Sequence, residues 1–143
     1  MKILFLKEKR SESGFEGSAT YLQRLCIFLN KKKIPYLILY NSNDQYYKSL
    51  KKNNINVRLF DYLTETPKNI FRKYTSIKKI KKLLSKIIYQ ENFTIINAHW
   101  PHLLLFLDKK ITKDKQIICH WHGAYRVNNP LKNFHLNDVF KFN

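Results

Sequence analysis

Two histidine-bearing segments hold most of the side chains able to do chemistry. They read Asn97-Ala98-His99-Trp100-Pro101-His102 and His120-Trp121-His122-Gly123. An imidazole titrates near neutrality, so His99 or His122 is suited to take a proton from a hydroxyl during group transfer. A third segment, Gly14-Phe15-Glu16-Gly17-Ser18, precedes a helical pattern and suits an anion. There, helix N-terminal N–H groups and glycine backbone would let a phosphate approach. It is neither a GxGxxG dinucleotide fingerprint nor a Walker loop, and an ordinary turn has the same composition. A zinc reading also exists, in which His120, His122 and either His99 or His102 supply three nitrogens. It is the weaker one, because no Cys, Asp or Glu stands at ligand spacing beside them.

These segments need a scaffold that brings them together. Lys2 to Lys7 is a short apolar run with charged flanks, as expected of a strand buried on both faces. From Ser18, the residues Tyr21, Leu22, Leu25, Cys26, Phe28 and Leu29 recur at helical spacing. Ser18 or Thr20 is available as N-cap, and Lys31-Lys32-Lys33 lies at the cation-favouring end. Ile34 to Tyr40 reads as a second strand, Tyr46 to Lys52 as a short helix, and Ile55 to Phe60 as a third, edge strand. A long amphipathic helix spans Ile70 to Glu91. Phe71, Tyr74, Ile77, Ile80, Leu83, Leu84, Ile87 and Ile88 form its stripe, and the lysines lie largely on the other faces. Thr94 to Ala98 is a fourth strand, Pro101 to Leu107 a short helix and Gln116 to Cys119 the start of a fifth strand. The alternation predicts one α/β domain: a Rossmann-like, doubly wound, mostly parallel sheet of about five strands with helices on both faces. Ligands then sit at the C-terminal strand ends, where His99 and His122 would face one cleft beside the first glycine loop.

Composition narrows the class further. The 143 residues carry 27 Lys+Arg against 10 Asp+Glu, a net charge of +17, so the surface attracts anions. Abundant Lys, Asn, Ile, Tyr and Phe is also what AT-rich codons produce, and this alone would swell a solvated surface with lysine. No apolar run approaches the roughly 20 residues of a membrane span, and Ile3 to Leu6 is too short for a secretory signal core; a cytoplasmic location is expected. Cys26 and Cys119 form no CxxC, and both are expected to be buried small hydrophobes. The basic clusters Lys31 to Lys33, Lys51-Lys52 and Lys78/79/81/82/86 suit peripheral contact with an anionic membrane. No motif supports sequence-specific nucleic-acid recognition. A basic α/β binding module without catalysis is therefore the alternative to an enzyme.

Taken in order, these segments resemble the N-terminal, acceptor-side domain of a GT-B glycosyltransferase, of the subfamily-4-like type. Lys2 to Lys7, Glu16-Gly17-Ser18-Ala19 and Tyr21, Leu22 and Leu25 are similar to that family's first strand, Gly-Gly loop and first helix. Ile95-Ile96-Asn97-Ala98-His99-Trp100-Pro101 is similar to its His-Trp-Pro segment, and Ile117-Ile118-Cys119-His120-Trp121-His122-Gly123 to its His-Gly strand end. The resemblance implies transfer of a sugar from an activated donor, usually a nucleotide sugar, to a hydroxyl of a glycan or lipid-linked acceptor, with no metal or other cofactor. It implies catalytic roles for His122 and His99, a donor-phosphate loop at Glu16, Gly17 and Ser18, and an acceptor pocket including Trp100, His120 and Gly123. Glu16 stands where the family has the first glycine of its pair, and Lys33 where it has a helix-ending glycine. The 143 residues correspond to one half of the GT-B architecture, so the donor domain is expected from a partner and the chain alone is expected to be inactive.

Overall fold

The computed structural model describes residues 1–9, 17–62 and 70–120. Five strands form one all-parallel sheet: β1 (Ile3–Lys7), β2 (Tyr36–Tyr40), β3 (Val57–Leu59), β4 (Ile95–Ala98) and β5 (Gln116–Cys119), in the order β3-β2-β1-β4-β5. The helices are α1 (Gly17–Lys31), α2 (Gln45–Lys52), α3 (Ile70–Glu91) and a single turn, α4 (Lys109–Thr112), with a 3-10 segment over Pro101–Phe106. The doubly wound α/β reading holds.

Strand alternation sorts the core into two layers. Phe5, Tyr36, Ile38, Tyr40 and Val57 pack with Ala19, Leu22, Cys26 and Leu29 of α1 and Tyr46 and Leu50 of α2. Leu4, Leu6, Leu37, Leu39, Ile96 and Ala98 pack with Ile80, Leu84 and Ile88 of α3 and with Leu103, Leu104 and Phe106 of the 3-10 segment. Each fully buried large apolar side chain contributes roughly 1.5–3 kcal/mol, so the apolar runs in β1 and β2, covered on both faces, anchor the sheet. Buried hydroxyls are satisfied locally. Tyr46 Oη donates to the Ala19 carbonyl at 2.9 Å and Tyr40 Oη to the Asp44 carboxylate at 2.8 Å.

Three helices end in the same way. Lys33, Asn54 and Asn92 have φ of 55°, 54° and 52°. Each donates its N–H three residues back, and the following residue donates five back: Ile34 to Leu29, Ile55 to Leu50 and Phe93 to Ile88. This left-handed cap closes the orphan carbonyls and turns the chain towards β2, β3 and β4.

Two expectations are corrected. Cys26 is buried, but Cys119 is exposed, because β5 is an edge strand whose faces are only partly covered among the described residues. The apolar stripe of α1 is narrower than its spacing suggests: Tyr21 and Phe28 are 47% and 51% exposed, and Ser18 and Ala19 take buried positions instead. The single turn α4, capped by Asp108, has no periodicity to betray it in the sequence.

Candidate functional site

The sheet order reverses direction between β1 and β4, so the C-terminal ends of these strands open a crevice where open α/β sheets bind ligands. The ladders run one residue beyond the strands there. His99 N–H donates to the Leu6 carbonyl at 2.9 Å and His120 N–H to the Ala98 carbonyl at 2.8 Å. Because Ala98 is in register with Cys119, His99 lies opposite His120 on the same face of the sheet. Their rings stack with centroids 5.0 Å apart and planes 15° from parallel, close to the spacing of neighbouring strands. Backbone register thus brings two imidazoles side by side at two strand ends.

Other groups fix the pair. His99 is fully buried, with the edge of Phe5 on one side and Tyr21 of α1 at 6.5 Å. Tyr21 also lies 5.7 Å from His120, which is half-buried. The Asn97 side-chain nitrogen is 3.1 Å from His120 Nε2. With Asn97 donating, that nitrogen is an acceptor and His120 is neutral. A protonated ring has no acceptor nitrogen and would need the amide turned so that Oδ1 accepts. Asn97 Oδ1 has no other partner among the described residues, so this turn sacrifices no bond.

Beside the imidazoles, the last residue of β1 does something its sequence position disguised. Lys7 is 1% exposed, and its ammonium donates to Ser18 Oγ in the first turn of α1 at 2.8 Å. A positive charge is therefore held at the N-terminus of α1, the end of a helix that favours anions. Gly17 opens that helix, and a Cβ built on it would meet nothing within 4 Å among the described residues, which leave this corner open.

A second pair lies on the other face. Glu8 Oε2 and His102 Nε2 are 2.8 Å apart, with both side chains largely buried. Burial, reinforced by the Glu8 charge, holds the Tyr62 phenol well above its usual value, and the protonated hydroxyl donates to the Leu39 carbonyl at 3.3 Å.

Of the residues expected at the site, the structure gathers His99 and His120, with Ser18 joined to the end of β1 through Lys7. Trp100 does not join them, and packs half-buried against the α3-side core. Gly14, Glu16, Trp121, His122 and Gly123 lie outside the described residues. His102, a candidate for the zinc reading, is paired with Glu8, and among the described residues no three His, Cys, Asp or Glu side chains gather as a metal site. Lys7, Glu8 and Asn97 were not singled out by the sequence. The signal available was position: Lys7, like His99 and His120, falls at or just past the end of a short strand at the ligand-binding edge.

No model of a known protein family matches the chain, and no curated protein matches it. Solved structures do. A glycosyltransferase from Rickettsia africae superposes with a TM-score of 0.67 at 20% identity, covering 98% of this chain and 34% of that one. HepE from Anabaena, solved with UDP-glucose, gives 0.58 at 14% identity, covering 99% and 34%, and its complex with UDP and glucose gives 0.54 at 17%, covering 86% and 30%. The likeness is one of fold, and the chain spans about a third of the length of these proteins.

Proposed function

We propose that the chain is the acceptor-side lobe of a GT-B-type glycosyltransferase. In this reading it moves a sugar from a nucleotide donor to a hydroxyl of a glycan or glycolipid in the cytoplasm, and turns over only with a donor-binding lobe. The observation that carries the reading is the stacked His99–His120 pair at the switch-point edge beside α1. The fold shared with a Rickettsia glycosyltransferase and with a protein that binds UDP-glucose supports it.

The chemistry follows from placement. The acceptor oxygen forms a bond to the sugar's anomeric carbon, the bond from that carbon to the diphosphate breaks, and the hydroxyl proton passes to an imidazole. His122 is the proposed base. His99, enclosed as it is, sets the position of His120 at the acceptor side, with Gly123 contributing to the same pocket and Trp100 apart from it on the α3 side. The departing diphosphate gains negative charge, which the α1 N-terminus at Gly17 and Ser18 and the Lys7 ammonium would stabilise. Glu16 would border the same phosphates. No metal or further cofactor enters the scheme.

Titration of the isotopically labelled chain with UDP-glucose and with short glycans tests this reading. Amide shifts are expected at Gly17 to Tyr21 with the donor and around His99 and His120 with an acceptor. In a context that includes a donor lobe, His122→Ala is expected to abolish transfer and leave the fold intact. Absence of both sets of shifts at millimolar ligand would overturn the proposal, and unchanged turnover would remove His122 from the role of base.

A further inference from the structure

The outward face of α3 has a chemistry unrelated to the histidine crevice. Ile80, Leu84 and Ile88 face the core, which turns Lys78, Lys79, Lys82 and Lys86 to solvent. Lys78, Lys82 and Lys86 follow one another at four-residue spacing, an arrangement of like charges that destabilises a helix standing by itself in water. Among the described residues no carboxylate pairs with them. The one acidic residue of α3, Glu91, is turned aside and held by Lys2 Nζ and Arg58 Nη2, each at 2.9 Å.

The same face exposes apolar groups. Tyr89 is 79% and Leu83 48% exposed. Tyr89 also rims a groove of about 660 Å³ between the end of α3 and α4, which has Ile88 and Ile111 among its lining and Lys110 and Lys115 beside them. Lys115 is 2.8 Å from Asp114, and Lys110 makes no ion pair among the described residues. The groove lies where α3 leads into the start of β4, at the opposite edge of the sheet from His99 and His120.

We propose that this face of α3, with the groove at its end, docks on an anionic lipid bilayer. The lysines would meet headgroup phosphates while Tyr89 and Leu83 enter the boundary between headgroups and acyl chains. A lysine row alone would suit any polyanion. Exposed Tyr and Leu among the lysines favour the bilayer, because an amphipathic ring and an apolar branch gain from a surface that is charged outside and apolar beneath. A nucleic-acid backbone offers the charge without that apolar layer. The proposal stands apart from the sugar-transfer reading, and either can fail without the other.

Co-sedimentation of the full chain with phosphatidylcholine vesicles, with and without phosphatidylglycerol, tests it. Binding is expected only with phosphatidylglycerol and should weaken as salt rises. One lysine near such a surface is worth about fivefold in affinity, so Lys82→Gln with Lys86→Gln should lose about 25-fold. Lys51→Gln with Lys52→Gln removes the same charge from α2, on the other side of the sheet, and should change binding less than about threefold. Tyr89→Ala should weaken binding with no change in charge. All these positions are exposed, and circular dichroism should report an unaltered fold. An equal loss from the two double variants would show diffuse attraction and overturn the proposal. So would no binding to phosphatidylglycerol vesicles, or tighter binding to a DNA duplex than to them in the same buffer.

Discussion

Replacing Lys33 with glycine should stabilise the domain. Lys33 has φ of 55° as the residue that turns α1 into β2, donating to the Asn30 carbonyl at 3.0 Å while Ile34 donates to Leu29 at 3.0 Å. A Cβ in the left-handed region costs about 1–2 kcal/mol. Glycine escapes this cost, but its greater freedom in the unfolded chain returns about 0.5–1 kcal/mol. The expected net gain is about 0.5–1 kcal/mol, or roughly 2–3 °C in Tm for a chain of this size. Asn54 and Asn92 form the same cap at nearly the same φ, and asparagine tolerates that region better than lysine. Asn92→Gly should therefore gain less than half as much. Lys33→Ala separates backbone from charge, since it removes the ammonium and keeps the Cβ, and it should not stabilise. Thermal and urea melts followed by circular dichroism give the comparison. If Lys33→Ala matched Lys33→Gly, charge rather than backbone strain would govern the site, and a destabilising Lys33→Gly would refute the reasoning outright.

Two further perturbations probe the sheet and the crevice. Partial burial opposes ionisation of Glu91, but the hydrogen bonds and charges of Lys2 and Arg58 outweigh it and hold the carboxyl below its ordinary value. A depressed folded-state value gives stability that is present above the unfolded value and lost as pH falls through the folded one. Glu91→Gln should thus cost about 0.5–1 kcal/mol near neutrality, and the gap from wild type should close in acid. Urea melts at several pH values read it, and a gap independent of pH would contradict the ion-pair account. At the crevice, Lys7→Met and Ser18→Ala should be coupled by about 1.5–3 kcal/mol in a double-mutant cycle, the range of a hydrogen bond to a charged group. Additive losses would mean that the 2.8 Å contact contributes nothing to stability.

The fold was legible because its signals are redundant. A strand covered on both faces must be apolar at consecutive positions, and β1 and β2 are; a long helix on one face must repeat its apolar residues, and α3 runs over the expected Ile70–Glu91. Features that depend on a neighbour were harder to see. Nothing local tells Tyr21 and Phe28 apart from Leu22 and Leu29, and only the docking of α1 on the sheet decides which pair is covered. Cys119 follows two isoleucines and reads as core, yet edge placement leaves it exposed. Sheet order, not residue type, made that difference.

At the site, the histidines were visible and their pairing was not. His99 and His122 were expected to face one cleft, and His122 lies outside the described residues. Among those described, register sets His99 against His120, and a signal for this existed: Ile95-Ile96-Asn97-Ala98 and Gln116-Ile117-Ile118-Cys119 are four-residue strands, each followed at once by histidine. Counting from the strand starts would have aligned the rings. For Lys7 the strand-end position was the one cue, and residue type pointed away from it. A lysine after an apolar run ordinarily marks where a strand meets water, because burying an ammonium is costly unless it finds hydrogen-bonding partners. Here Ser18, eleven residues later in α1, is one such partner. A charge that looks like a boundary therefore sits at the centre of the crevice, and its burial depends on a contact that exists only once α1 has packed on the sheet.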